Sequence, residues 1–404
     1  MKSSRSPIKR PALIGLMVAV FALFALAAAS PGSPGRPDTA SVARRIVHDV
    51  LAVQPDETIQ VNTDLSNPAL VEELAVAIRK AGAFPHIVYG TTRMNRRILE
   101  ETPETHLSRT PEYQIKMLRV VDAMINLPGL DGPQAFASLP EHRLALVRKA
   151  AAPVAERFQS SRTRSVSLGN NGVPSKSMAE FYGAPLKTLE DGFWKGIDVA
   201  PAELRARGEK VREILDGART VRLSAANGTS LEMKLVGRPV VLNAGDLSSD
   251  TDAAVEREAR QVWLPAGEAY TSPLETSANG ILRIDSANYR GIKIQDLRLM
   301  FRDGRVVDID AQKGAEALRE ALDLSGGDKD RIAVIDVGLN PNSRLIPGST
   351  YRSYEMAGLV TVGIGGVTWA PTENRSDFAA TFFLPGATLE ADGRLIVKDG
   401  KLQI

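Results

Sequence analysis

Val262-Trp-Leu-Pro-Ala-Gly-Glu-Ala-Tyr-Thr-Ser-Pro-Leu-Glu-Thr-Ser-Ala-Asn-Gly280 is the stretch whose residue types and spacing come nearest to chemistry. Glu268 stands in a turn bounded by proline and glycine, with Thr271, Ser272 and a second acid, Glu275, just beyond. Such a turn can hold a carboxylate rigidly at the mouth of a cleft. The same residues also suit a surface loop with solvated acids. Cysteine is absent, so carboxylates and imidazoles are the metal-binding chemistry that remains, and disulfides, thiolate catalysis and iron–sulfur clusters are excluded. The four histidines, His48, His86, His106 and His142, all fall in the first half, and no two share the i, i+4 spacing that puts ligands on one helix face. They read as surface or hydrogen-bonded histidines. A site in the second half therefore has only oxygen ligands, which suit Mg²⁺ or Ca²⁺ better than zinc or iron. No G-x-S-x-G elbow and no S-x-x-K with K-T-G is present, and no histidine lies nearby to activate a serine. Gly363-Ile-Gly-Gly366 lacks the G-x-G-x-x-G spacing of a dinucleotide cradle, so these glycines are expected to allow close backbone packing.

The elements that position these residues follow from period and punctuation. Val42 to Val53 places Ile46, Val47, Val50 and Leu51 on one helical face, and Thr58 to Asn62 alternates as a strand. Ser66 or Asn67 caps a helix beginning at Pro68, which runs through Leu70, Leu74 and Ile78 and stops at Gly82. Phe84 to Tyr89 is the next strand, which completes a βαβ unit. Val120 to Leu127 reads as a third strand, and Glu141 to Arg157 as another helix. A doubly wound α/β domain over residues 41–190 is the expectation. Gly169-Asn-Asn-Gly-Val-Pro174 breaks that rhythm. From Thr220 short strands and tight turns take over: Val221 to Ser224, Leu231 to Val236, Gly280 to Asp285, Leu297 to Phe301 and Val306 to Ile309. Hairpin signals stand at Asn227-Gly228, Asp303-Gly304, Asp392-Gly393 and Asp399-Gly400, with one helix from Ala315 to Leu324. Residues 191–404 are thus expected to form a mixed, strand-rich α+β domain.

The chain has 404 residues, enough for two domains, with 43% hydrophobic and 24% charged residues, which excludes wholesale disorder. Its net charge of +2 offers no footprint for nucleic acid. Lys2, Arg5, Lys9 and Arg10 supply all of that excess, and without them the balance falls to −2. Those cations precede an apolar run over residues 11–29 that ends in Ala27-Ala28-Ala29, followed by a Pro/Gly/Ser-rich linker over residues 30–40. This is the layout of a secretory signal peptide, residues 1–29, and the body is expected to be periplasmic or secreted. The alternative is an uncleaved membrane anchor over residues 11–29, whose length approaches that of a span.

Leu264-Pro-Ala-Gly-Glu-Ala-Tyr-Thr-Ser-Pro273 with Ser277-Ala-Asn-Gly280 closely resembles the signature of the aminopeptidase T/aminopeptidase S family of metallo-aminopeptidases. Val53-Gln-Pro-Asp-Glu57, Ala81-Gly-Ala-Phe-Pro85, Gly338-Leu-Asn-Pro341 and Asp392-Gly-Arg-Leu-Ile-Val-Lys-Asp-Gly400 extend the likeness along most of the chain. The resemblance implies an N-terminal α/β domain, a C-terminal domain with two divalent metal ions (zinc, cobalt or manganese), dimerisation, and removal of N-terminal residues from peptides. Such a centre polarises the scissile carbonyl and generates hydroxide near neutral pH. The family's six ligand positions fall here on Glu268, Val334, Thr361, Thr368, Ala379 and Thr381, so Glu268 alone is retained. The lost acid at Val334 also serves the family as a base. The iron-dependent ring-opening dioxygenases built on this fold need histidine too, and the same substitutions count against them.

Three readings follow. The first is an exported, metal-deficient pseudoenzyme that binds a peptide or small amine in the ancestral cleft, with Glu268 contacting the ligand. The second is an active aminopeptidase using a rearranged carboxylate metal site around Glu268, drawing on Asp336, Glu355, Glu373 or Asp377. The third is a structural envelope protein. Under the first reading no tightly bound metal is expected, and Arg283, Lys293, Arg344, Arg352 or Arg375 is expected to neutralise Glu268 where a ligand's amino group does not. No nucleic-acid partner is expected, and a homodimer is. If the leader is removed, the mature protein begins near Ser30 and leaves the membrane fraction on a carbonate wash; a protein that retains residues 1–29 and stays with membranes would establish the anchor.

Overall fold

The computed structural model describes residues 38–235, 237–247 and 260–404. The leader and most of the linker lie outside these residues, as does Val236 at the end of one expected strand. Among the described residues no helix is long and apolar enough to cross a membrane.

The strand Thr58–Thr63 buries Ile59, Val61 and Thr63 on one face, as its alternation requires. Asn67 caps the helix Pro68–Lys80 by accepting from the Leu70 amide, and Leu70, Val71, Leu74, Ala77 and Ile78 form its buried stripe. Gly82 follows at φ +84°, a left-handed conformation that ends the helix and turns the chain into the strand Phe84–Tyr89. The expected first helix is split into Thr39–Arg44 and a wider π turn over Arg45–Val50. The strands Ala123–Asn126, Arg164–Leu168 and Gln261–Leu264 complete a parallel five-stranded sheet with Thr58–Thr63 second from one edge, beside Phe84–Tyr89. This is the order of a doubly wound sheet, in which ligands gather at the carboxyl ends of strands.

The sheet does not end where turn signals divide the chain. Its last strand, Gln261–Leu264, comes from beyond residue 191, and Phe193, Trp194, Ile197 and Leu204 of the helices Leu186–Ile197 and Pro201–Asp216 pack into its core. The divide at 190/191 therefore does not follow the layers. Gln261–Leu264 alternates in burial but has only four residues, too few to reveal which sheet it will join.

The second half builds two antiparallel sheets. The eight-stranded one includes the long hairpin Asn279–Tyr289 and Ile292–Arg302 together with Thr220–Ser224 and Thr388–Ala391. Its turns at Asp303-Gly304, Asp392-Gly393 and Asp399-Gly400 have positive φ at both residues, as two-residue hairpins demand. The other sheet has five strands in the order Ala379–Leu384, Val360–Gly365, Ile332–Gly338, Glu268–Thr271 and Val241–Asn243. One face of it, with Ala269, Ile335, Val337, Val362 and Phe382, joins Leu282, Leu297 and Leu299 in the main core. The opposite face holds the candidate site.

Gly365 and Gly366 leave no room for side chains. A Cβ on Gly365 would lie 2.3 Å from the Phe378 carbonyl oxygen, and one on Gly366 2.2 Å from that of Ser376. Both contacts are with backbone and cannot relax cheaply, so these glycines set the close packing of the segment after residue 365. Gly366→Ala is therefore expected to cost about 1–3 kcal/mol in urea denaturation, as overpacking does; a loss under about 0.5 kcal/mol would mean that the segment yields.

Candidate functional site

Residues directly opposed across an antiparallel sheet share a face. Tyr270, Asp336, Thr361 and Phe383 form one such row, and Val334, Gly363 and Thr381 the next. Asn243, Glu268 and Gly338 line up beyond Tyr270, while Ala379 opposes Gly365 at the other end. The fold thus gathers Glu268, Val334, Thr361, Ala379 and Thr381 on one face, and of these only Glu268 carries a carboxylate or imidazole. Thr368 lies after the Val360–Gly365 strand and is exposed. Five positions converge; the donors do not.

Glu268 belongs instead to a group of buried acids. Glu268 is 3% exposed, and Asn170 and Asn243 both donate their side-chain amides to its Oε1, Asn243 at 3.2 Å. Asn170 follows the carboxyl end of strand Arg164–Leu168, and Glu268 lies just past that of Gln261–Leu264. Two neighbouring parallel strands thus deliver donor and acceptor to one point. Asp336 is fully buried, and neither of its carboxylate oxygens makes a hydrogen bond among the described residues. The Val337 amide and the Thr361 hydroxyl only ease its field. Glu355 is 3% exposed and accepts from the Ser353 hydroxyl.

Burial pushes the Glu268 carboxyl up to about 8, with the charge of Glu355 adding and the amides of Asn170 and Asn243 opposing. Burial likewise lifts Glu355 to about 7, against its bond from Ser353. Asp336 is raised well above the ordinary carboxylate range by burial first and then by Glu268. Like charges out of water favour their neutral forms unless a cation intervenes. The expected cation does not appear: among the described residues no arginine or lysine contributes to holding Glu268, which is met by two asparagine amides instead. Arg344 and Arg352 turn their guanidinium groups to backbone carbonyls, and Lys293 lies over the Phe181 ring.

The other acids have different work. Glu275 receives both arms of Arg238, at 2.7 and 2.8 Å, as well as the Thr372 hydroxyl and the Glu373 amide. Burial works against its charge, but Arg238 and these donors hold its carboxyl below the usual range. Glu275 therefore clamps the loop after Thr271 to the segment carrying Trp369. Glu373 is largely exposed at 3.6 Å from Arg238, and Asp377 accepts from the Gly326 amide, so neither joins the acids around Glu268. The four histidines are exposed, His142 beside Glu104.

Aromatic rings cover the acid-bearing face. Trp369 meets Tyr270 edge-to-face at 4.9 Å between centroids and Tyr354 at 5.8 Å, and Tyr354 meets Phe383 at 4.9 Å. The Tyr354 hydroxyl bonds the Thr381 hydroxyl at 2.6 Å, and Val334 packs with Val367 and Ala370 beneath. Among the described residues no three His, Cys, Asp or Glu side chains are placed to hold a metal ion. A two-metal centre does not fit these residues. The sequence offered Asp336 and Glu355, with Glu373 and Asp377, as carboxylates for rebuilding a site around Glu268, and it did not point to Asn170, Asn243 or the ring cluster. The adjacent asparagines in the break after Leu168 were the available signal.

Residues 37–330 match the family described as thermophilic metalloprotease (M29). Among characterised proteins the chain is 23% identical to aminopeptidase 2 of Geobacillus stearothermophilus over 298 residues, covering 68% of this chain and 70% of that one. It is 24% identical to aminopeptidase T of Thermus thermophilus over 274 residues, covering 62% and 65%. Among solved structures, wild-type AmpT from Thermus thermophilus superposes with a TM-score of 0.68 at 18% identity, covering 91% of this chain and 99% of that one. The 2,5-dihydroxypyridine dioxygenase of Pseudomonas putida KT2440 gives a TM-score of 0.56 at 14% identity, covering 90% and 96%, a likeness of fold alone.

Carboxyls raised on folding bind more protons in the folded than in the unfolded chain. Their contribution to stability is full below the unfolded value of ~4.3 and is lost as pH rises through about 7 to 8. In chelator-treated protein, Glu268→Gln should flatten the fall in stability between pH 6 and pH 8.5, by on the order of 1 kcal/mol, one pKa unit being ~1.4 kcal/mol. Denaturation curves at both pH values test this, and parallel behaviour of wild type and variant would refute it.

Proposed function

The chain belongs to the thermophilic metalloprotease (M29) family, and from that premise we propose that it is an exported member that binds the amino end of a peptide, or a small amine, without hydrolysing it. The observation that carries this reading is the group Glu268, Asp336 and Glu355: buried acids without a cationic partner among the described residues, the first two on one face of the antiparallel sheet and Glu355 in the connection before Val360–Gly365. Carboxylates only accept hydrogen bonds and an ammonium only donates, so a ligand's amino group supplies what these oxygens lack. Hydrolysis by the family route needs a metal-activated water, and Val334, Thr361, Thr368, Ala379 and Thr381 offer no imidazole or carboxylate for it. The exposed apolar side chains Phe84, Ile87 and Tyr89 on the edge strand of the parallel sheet support self-association.

One observation favours a second reading. The free oxygens of Asp336 near Glu268 and Glu355 are the donors a hard cation such as Mg²⁺, Ca²⁺ or Mn²⁺ would use after a small rearrangement, and an aminopeptidase could be rebuilt on them. Elemental analysis and turnover separate the two. The non-hydrolytic reading expects less than one tightly bound transition metal per chain after dialysis. It also expects no Leu- or Ala-anilide hydrolysis above background with added Zn²⁺, Co²⁺ or Mn²⁺, an acceleration of typically ~10⁶-fold or more being forfeited. Robust turnover abolished by Glu268→Ala would establish the second reading.

A further inference from the structure

A cavity of about 220 Å³ opens beside Thr381, with Tyr354, Lys293, Arg352 and Asn171 in its wall. It is smaller than the ~300–1,000 Å³ of sites for drug-sized ligands. Two cations face it without a carboxylate partner among the described residues. The Lys293 ammonium is exposed and lies 5.0 Å from the centroid of the Phe181 ring. The Arg352 guanidinium is half-buried and uses one nitrogen, Nη1, on the Ser349 and Tyr351 carbonyls at 2.9 and 2.7 Å. Burial alone acts on it, lowering its affinity for the proton, so an anion arriving here would restore what solvent no longer supplies.

This cavity adjoins the buried acids through two short stretches of chain. Asn170 donates to Glu268 while the next residue, Asn171, donates to the Arg352 carbonyl at 2.6 Å. Arg352 and Glu355 are three residues apart, at most ~10 Å along an extended chain. Tyr354 stands between them, its hydroxyl bonded to Thr381 and within the fields of Asp336 and Glu268. The backbone that carries Arg352 thus lies within ~10 Å of the backbone that carries Glu355, and adjacent asparagines tie Arg352 and Glu268 to one turn of chain.

We infer that Lys293 and Arg352 form a carboxylate subsite for the ligand whose amino group meets Glu268, so that the ligand is a free amino acid or dipeptide rather than the end of a long chain. The inference rests on the amine-binding reading above and adds the opposite end of the ligand. Arginine's fork and lysine's point charge both suit a carboxylate, and neither would gain from a neutral amide. Tyr354 then marks the middle of the ligand path.

Calorimetric titration of the full chain with Leu-Ala, Leu-Ala amide and N-acetyl-Leu-Ala tests this. Leu-Ala is expected to bind, and the amide about tenfold more weakly, as befits loss of a charge-assisted contact. Lys293→Gln and Arg352→Gln should abolish the preference for acid over amide while keeping the preference for free over acetylated amine. Lys293 is exposed, so its variant carries the test should the Arg352 variant misfold. Equal binding of acid and amide, with the acetylated form weak, would overturn the carboxylate subsite and leave amine binding standing. A weak amide with acetylated and free peptide equal would overturn amine binding and leave the subsite. Succinate binding more tightly than Leu-Ala, or no binding by any peptide, would overturn the dipeptide assignment.

Discussion

Burying Glu268, Asp336 and Glu355 together is the constraint from which the rest of this site follows. Each carboxylate taken from water loses hydration that only donors or positive charge can replace. Asn170 and Asn243 meet Glu268, Ser353 meets Glu355, and Asp336 keeps two oxygens without a bond among the described residues. The carboxyls respond by holding their protons toward neutral pH. A site arranged this way is stable when protonated and receptive when a cation arrives. Both properties come from one deficit of positive charge.

The scaffold around that deficit is the M29 architecture. The five-stranded antiparallel sheet aligns Glu268, Val334, Thr361, Ala379 and Thr381 on one face, because strand register is fixed by the apolar face that packs into the main core. That face contains Ile335, Val337 and Val362, and Asp336 and Thr361 alternate with them onto the opposite face. Val334 packs with Val367 and Ala370 on that side, and the rings of Trp369, Tyr270 and Tyr354 lie against one another over it. The Arg238–Glu275 ion pair and the close packing at Gly365 and Gly366 hold this cover in place.

The likeness to the dioxygenase reaches only the fold. One scaffold serving different chemistries is expected when function resides in side chains on a face that stability does not dictate. Here the altered face carries acids, amides and aromatic rings, with Lys293 and Arg352 at its margin.

Periodicity and turn chemistry in the sequence determined the local elements. Asn67 with Pro68 began a helix where expected, Asp-Gly pairs made the hairpins, and Leu282, Leu297 and Val221 entered the core. The signature around Glu268 drew attention to a carboxylate that the fold buries, and the absence of histidine beyond His142 limited the donors available near it. Only the tertiary structure decided that Asn170, nearly a hundred residues earlier, would bond Glu268, that Asp336 and Glu355 would join it, and that Glu275 would pair with Arg238 instead. It also gave the strand Gln261–Leu264 to the parallel sheet. The reason is physical: local pattern reports the neighbours a residue meets along one helix or strand, whereas charge state and partners depend on which distant segments exclude water from the same point.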